Sequence, residues 1–165
     1  MKRIARSAIA IAMSVSVIAS TAALAKNLKV ERIEGAYRIE LDILNAEPFA
    51  DAGMPMQGMA MVAKGGAAPV QADAASHPNH HLVVHVFDRA SGKVVTDARV
   101  FIAYVPLDPH GHARGSAVSV PVVVMEMMGK GPASTHYGNN VTLAPGRYRI
   151  EVKVNGTGTS FRVKV

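Results

Sequence analysis

The chain has 165 residues, a formal net charge of +6, 49% hydrophobic residues and no cysteine. Its length allows one domain plus a tail, and with no Trp and four each of Tyr and Phe a core must be built mainly from Val, Ile, Leu and Ala. The missing cysteines exclude a disulfide framework, zinc–thiolate and iron–sulfur sites, a covalently attached haem and a lipid-modified cysteine.

Residues 1–25 read as a secretory signal peptide. Lys2, Arg3 and Arg6 form a positive start, an apolar stretch runs from Ala8 to about Ala22, and Ala23-Leu24-Ala25 is the small-x-small pattern at which such peptides are cut. The stretch is short for a membrane span and carries Ser14, Ser16, Ser20 and Thr21. Cleavage leaves 15 basic against 12 acidic residues, so the basic balance is small. The expected product is one domain over 26–165, periplasmic or secreted, with no stable membrane insertion. Export and mixed charge argue against nucleic acid as a partner.

Tyr37, Ile39, Leu41 and Ile43 alternate with Arg38, Glu40 and Asp42, the period of a strand with one buried face. Residues 45–79 hold Pro48, Gly53, Pro55, Gly58, Gly65, Gly66, Pro69 and Pro78 and read as a long mobile loop. Strands follow at His81–Asp88 and Ala98–Val105. A loop covers Pro106–Gly115. Ala117–Met127 reads as a further strand that Pro121 confines to an edge or a bulge. Gly129–Thr135 is a loop and Val141–Leu143 a short strand. Last, Tyr148, Ile150, Val152 and Val154 alternate with charged residues up to Asn155-Gly156, a hairpin signal, and Phe161, Val163 and Val165 continue the alternation. About seven short strands without a convincing helix predict an all-β, immunoglobulin-like antiparallel β-sandwich.

Beyond the signal there are seven His and seven Met, unevenly placed. Met54, Met56, Met59 and Met61 fall within eight residues of the long loop; Met125, Met127 and Met128 close a strand; His77, His80 and His81 cluster; His110 and His112 flank Gly111. Thioether sulfur is soft and suits Cu(I), and imidazole suits Cu(II), zinc and iron, so Met with His and no Cys points to copper first. The Met54–Met61 run has the spacing of a Cu(I)-capturing tract, or is a Met-rich linker or apolar filler packing on the sandwich. His81 and His85 share a strand face on the order of 13 Å apart, too far to bind one ion together, so each needs partners elsewhere; His85 reads as a partly buried structural histidine. His110 and His112 can chelate but read first as solvated loop residues.

His81-Leu82…His85, then Val124–Met128, then Gly131-Pro132…His136-Tyr137-Gly138-Asn139-Asn140-Val141, then Pro145-Gly146-Arg147-Tyr148 occur in an order that resembles the periplasmic iron-transport accessory proteins. These are copper- and iron-binding immunoglobulin-like sandwiches that work beside inner-membrane iron permeases. The resemblance spans roughly residues 80–154. It implies copper, with iron as a second metal, His81 and His136 as ligands, one or more of Met125, Met127 and Met128 as the sulfur ligand, and an inner-membrane metal transporter as partner. Two features depart from the family: Val83 and Val84 stand where it has an acidic pair, and the Asn155-Gly156 hairpin replaces a loop that carries a further His.

No serine or acidic catalytic motif accompanies the histidines, so the expectation is a non-catalytic periplasmic copper-binding protein. Met54, Met56, Met59, Met61, His77, His80, His110 and His112 form a secondary set of candidate ligands. The alternatives are an envelope protein–protein interaction module without metal, pairing through an edge strand, and a purely structural domain. The sequence specifies no oligomeric state.

Overall fold

The computed structural model describes residues 27–49, 61–72 and 74–165. The expected signal peptide, and with it Met54, Met56 and Met59, lies outside the described residues. The described chain forms an antiparallel β-sandwich. Its strands are β1 (Leu28–Glu34), β2 (Tyr37–Asn45), β3 (Met61–Gly66), β4 (His80–Asp88), β5 (Val100–Leu107), β6 (Val118–Val120), β7 (Val123–Met127), β8 (His136–Val141), β9 (Arg147–Val154) and β10 (Thr157–Lys164). One sheet runs β1-β2-β4-β8-β7-β3 and the other β10-β9-β5-β6. Among the described residues no helix is long and apolar enough to cross a membrane.

Alternation decides which residues meet between the sheets, because successive side chains of a strand point to opposite faces. Ile39, Leu41 and Ile43 of β2 and Leu82, Val84 and Val86 of β4 pack in one core against Ile102, Tyr148, Ile150, Val152, Val154, Phe161 and Val163 of the other sheet. The β9–β10 hairpin closes at Asn155 (φ 48°) and Gly156 (φ 90°), a conformation these two residues tolerate. Asn155 is then held at both ends of its amide. Its Oδ1 accepts from the Arg99 N–H at 2.8 Å and its Nδ2 donates to the Tyr37 hydroxyl at 2.9 Å.

Several sequence expectations need correction. The long loop at 45–79 contains β3, an edge strand paired with β7. Its Met-Val-Ala-Lys-Gly-Gly sequence lacks alternation because only Met61 is buried in it. The strand expected at 117–127 is two strands in different sheets, β6 and β7, and the chain crosses between the layers at Pro121, which has no N–H for a ladder. β1 is not among the strands expected from sequence: only Leu28 and Val30 alternate in it, both packing against the core, and it pairs along β2 over its whole length. His136 lies in β8 rather than in a loop, and Val141 ends that strand rather than starting one.

Candidate metal centre

The site lies on the face of the six-stranded sheet that turns away from the main core. With Leu82, Val84 and Val86 pointing inward, His81, Val83 and His85 point to the opposite face. β4 pairs with β8 in a register that sets His81 against Asn140 and Val83 against Gly138. Continued by one residue beyond Val84–Tyr137, it sets His85 against His136. Gly138 permits this pairing: a Cβ there would stand 1.8 Å from the Leu82 carbonyl oxygen. β7 then sets Met125 against His136, and β3 sets Met61 against Met127.

This outer face is not left to water. Phe49 lies edge-on to the His81 ring, centroids 5.9 Å apart, and packs with Met61, Val123 and Met125 in a second small core. Asn140 ties this cover to the sheet. Its Nδ2 donates to the carbonyls of Glu47 and Val70, both at 2.7 Å. Its Oδ1 accepts from the Glu47 N–H at 3.2 Å and bonds His81 Nδ1 at 2.8 Å. Asn139 does similar work: its Oδ1 accepts from the Val70 N–H, and its Nδ2 donates to the carbonyls of Ala68 and Pro121. Tyr137, facing the main core, donates its hydroxyl to the Val95 carbonyl and accepts from the Ala98 N–H.

These contacts fix the histidine tautomers. The Asn140 amide is oriented by the two carbonyls its Nδ2 meets, so its oxygen faces His81. An amide oxygen only accepts, so His81 Nδ1 carries the proton and Nε2 carries a lone pair. That Nε2 is buried and has no hydrogen-bond partner. His136 is fixed the same way, because its Nδ1 donates to the Ser134 carbonyl at 2.8 Å. Its Nε2 lone pair faces the thioether sulfur of Met61 at 3.3 Å.

The His136 ring has both other histidines as neighbours, with centroids 6.5 Å from His81 and 5.4 Å from His85. His81, His85, His136, Met61, Met127 and Glu47 line one cavity of about 390 Å³. Burial holds all three imidazoles below their usual pKa, His81 at about 4, so they are neutral and available as ligands near pH 7. For His81 the Asn140 bond works against that shift and the neighbouring His136 adds to it. Burial pushes the Asp42 and Glu47 carboxyls up, and Asp42 stands 3.6 Å from His85 Nε2.

The other candidates divide. Met125 is fully buried in the small core beside Met61, and Met127 lines the cavity. Met128 is 43% exposed, in a separate hollow with Lys64 and Glu126. His80 bonds Asn79 Oδ1 at 2.8 Å, and His77 is exposed. His110 and His112 are exposed after β5, on the other sheet, in a loop whose N–H groups are held by Asp108 Oδ1. His85, read from sequence as a partly buried structural histidine too far from His81 to bind the same ion, opens onto the same cavity. Among the described residues no three His, Asp or Glu side chains form a group able to hold a metal ion; the side chains at the cavity that can donate to a metal are imidazoles and thioethers, with the Glu47 carboxyl beside them.

No model of a known protein family matches the chain, and no characterised protein matches its sequence.

Proposed function

We propose that this chain is an exported, periplasmic copper-binding protein, non-catalytic, that holds copper as cargo in the cavity between β4, β8 and β3. The observation that carries this reading is the buried Nε2 of His81. An unpaired polar atom costs about 1–3 kcal/mol when buried, and here the hydrogen bond on the other nitrogen leaves Nε2 with a lone pair and no hydrogen-bond partner. A metal ion would supply the missing partner, and a ring N–H held by an oxygen acceptor is the arrangement common to ligating imidazoles. The neutral state of His136 and the sulfur beside it supply further donors of matching softness.

Copper fits this donor set better than iron. The position where the resembled family has its acidic pair is apolar here, with Val83 on the cavity wall and Val84 in the main core. Hand-over to or from an inner-membrane metal transporter fits a carrier of this kind. The competing reading, an interaction module, is supported by the short edge strand β6, where Val118 is exposed. It gives no reason for a buried histidine without a partner.

The test is metal analysis of protein recovered from the periplasm, with intact mass, followed by titration with Cu(I) and Cu(II). The expected result is a chain starting at Lys26 that binds one copper ion, with binding lost in a His81→Ala/His136→Ala double variant. Equal affinities for that variant and the parent would overturn the reading.

A further inference from the structure

We propose that the cargo is taken as Cu(I), and that Met61, from edge strand β3, is the sulfur ligand beside His136. This rests on the copper-binding reading and specifies its oxidation state and its thioether.

The argument starts from a contact that is not a hydrogen bond. A thioether has no hydrogen to give, and His136 Nε2 has none either, because its proton is on Nδ1 at the Ser134 carbonyl. Two lone pairs therefore face one another across 3.3 Å in a buried place. Nothing in the metal-free protein turns that contact into an attraction, whereas a cation accepts both lone pairs. The separation is close to what it needs. With bond lengths of about 2.0 Å to imidazole nitrogen and about 2.3 Å to sulfur, as at zinc, a tetrahedral angle sets the two donors about 3.5 Å apart, so the pair need open by only about 0.2 Å.

The surroundings select the charge. Phe49, Val123 and Met125 pack beside Met61, and Val83 lines the cavity. The Born cost of burying an ion rises with the square of its charge, so a monovalent ion meets about a quarter of the penalty of a divalent one there. His81 Nε2, His136 Nε2 and Met61 Sδ are all uncharged donors, and they leave the cation's charge uncompensated. That suits soft Cu(I) and disfavours Cu(II), which calls for harder or anionic ligands. The carboxyl of Glu47 is the group on the cavity wall that would serve Cu(II) instead.

The experiment compares Met61→Leu, Met125→Leu, Met127→Leu and Glu47→Gln in the mature protein. Cu(I) affinity is read anaerobically by competition with bicinchoninate, Cu(II) affinity by competition with a chelating amino acid, and folding by thermal melts. Met61→Leu should weaken Cu(I) binding roughly tenfold or more while Met125→Leu, equally buried, leaves it within about threefold. Silver(I), a stable stand-in for Cu(I), is added to the parent protein carrying 13C-methyl methionine, so that the sulfur is identified without any substitution. The Met61 methyl should shift and saturate at one equivalent. A silver-induced shift at Met127 with none at Met61 would overturn the assignment of the sulfur, as would unchanged Cu(I) affinity in folded Met61→Leu. Tighter binding of Cu(II) than of Cu(I) by the parent, with the Cu(II) affinity lost in Glu47→Gln, would overturn the oxidation state. In each of these cases a parent protein that still needs His81 and His136 for copper keeps the broader reading; a parent that binds neither ion removes both.

Discussion

Asn140 Oδ1 and His81 Nδ1, 59 positions apart in sequence, stand 2.8 Å from one another, and this bond decides which nitrogen of His81 is free. The same amide binds the backbone of Glu47 and Val70, so one side chain both holds the cover over the cavity and sets the tautomer of His81. Replacing Asn140 with Ala should lower copper affinity by about 10–100-fold. It should also lower stability by about 1–3 kcal/mol for each buried partner left unpaired. Chelator competition and urea unfolding measure the two effects. An Asn140→Ala protein with parental copper affinity would mean that the amide does not set the ligand.

His136 and His112 are both histidines of a Met- and His-rich chain, but only His136 lies at the cavity. His112 sits with its side chain 81% exposed beside Asp108 on the other sheet. His136→Ala should therefore weaken copper binding far more than His112→Ala, which should stay within about threefold of the parent. Isothermal titration of the two variants side by side decides this, and similar losses in both would disconnect the cavity from copper.

The metal-free protein should lose stability as pH falls through the histidine range. His81 titrates near 6.5 when unfolded and at about 4 when folded, so between those values the unfolded chain binds the extra proton and is favoured. The contribution is fully present above about pH 6.5 and declines toward pH 4, by on the order of 3 kcal/mol for this one residue. His85 and His136 shift in the same direction. The raised carboxyls of Asp42 and Glu47 act oppositely just above their unfolded values of 3.8 and 4.5. The slope should therefore be cleanest between about pH 5 and 6.5. Urea midpoints across that interval measure it, and a flat profile would contradict buried neutral histidines. Copper should raise stability most at the upper end of that interval and so steepen the slope, because the metal competes with the proton for the histidines.

Gly138→Ala should destabilise the fold by about 3 kcal/mol, near the upper end of overpacking effects, because the added carbon meets a carbonyl oxygen of β4 rather than a movable side chain. The same change spreads the two strands that carry His81 and His136, so copper affinity should fall with it. Ile150→Ala, in the main core and remote from the cavity by its face of the sheet, should cost about 2–5 kcal/mol and leave the affinity of the folded protein near parental. Paired melting and titration experiments separate the two variants; equal copper affinities would uncouple Gly138 from the site.

The layers of the sandwich were legible because their signals are local. In β2 and β9 every second residue is apolar, and a strand's period of two converts that pattern directly into a buried face. Asn155-Gly156 marks its turn through the φ values those two residues accept. β3 was hidden for the complementary reason: its Gly-rich tail has no buried face, and only pairing with β7 makes it a strand. Pro121 was readable as a break, but not as the point where the chain changes sheet.

For the candidate centre, the sequence by itself determined the stock of donors: many His and Met, no Cys, and a His-Tyr-Gly-Asn-Asn stretch in which His136 stands out. Only the tertiary structure decided which donors face one cavity. His85 lines the same cavity as His81 and His136, and its ring neighbours that of His136 from across the β4–β8 pair. The sulfur that meets His136 Nε2, at 3.3 Å, is that of Met61, outside the Met125–Met128 segment. That choice depends on the register of an edge strand against β7, and register is set by contacts between segments far apart in the chain, which no local pattern of residues records.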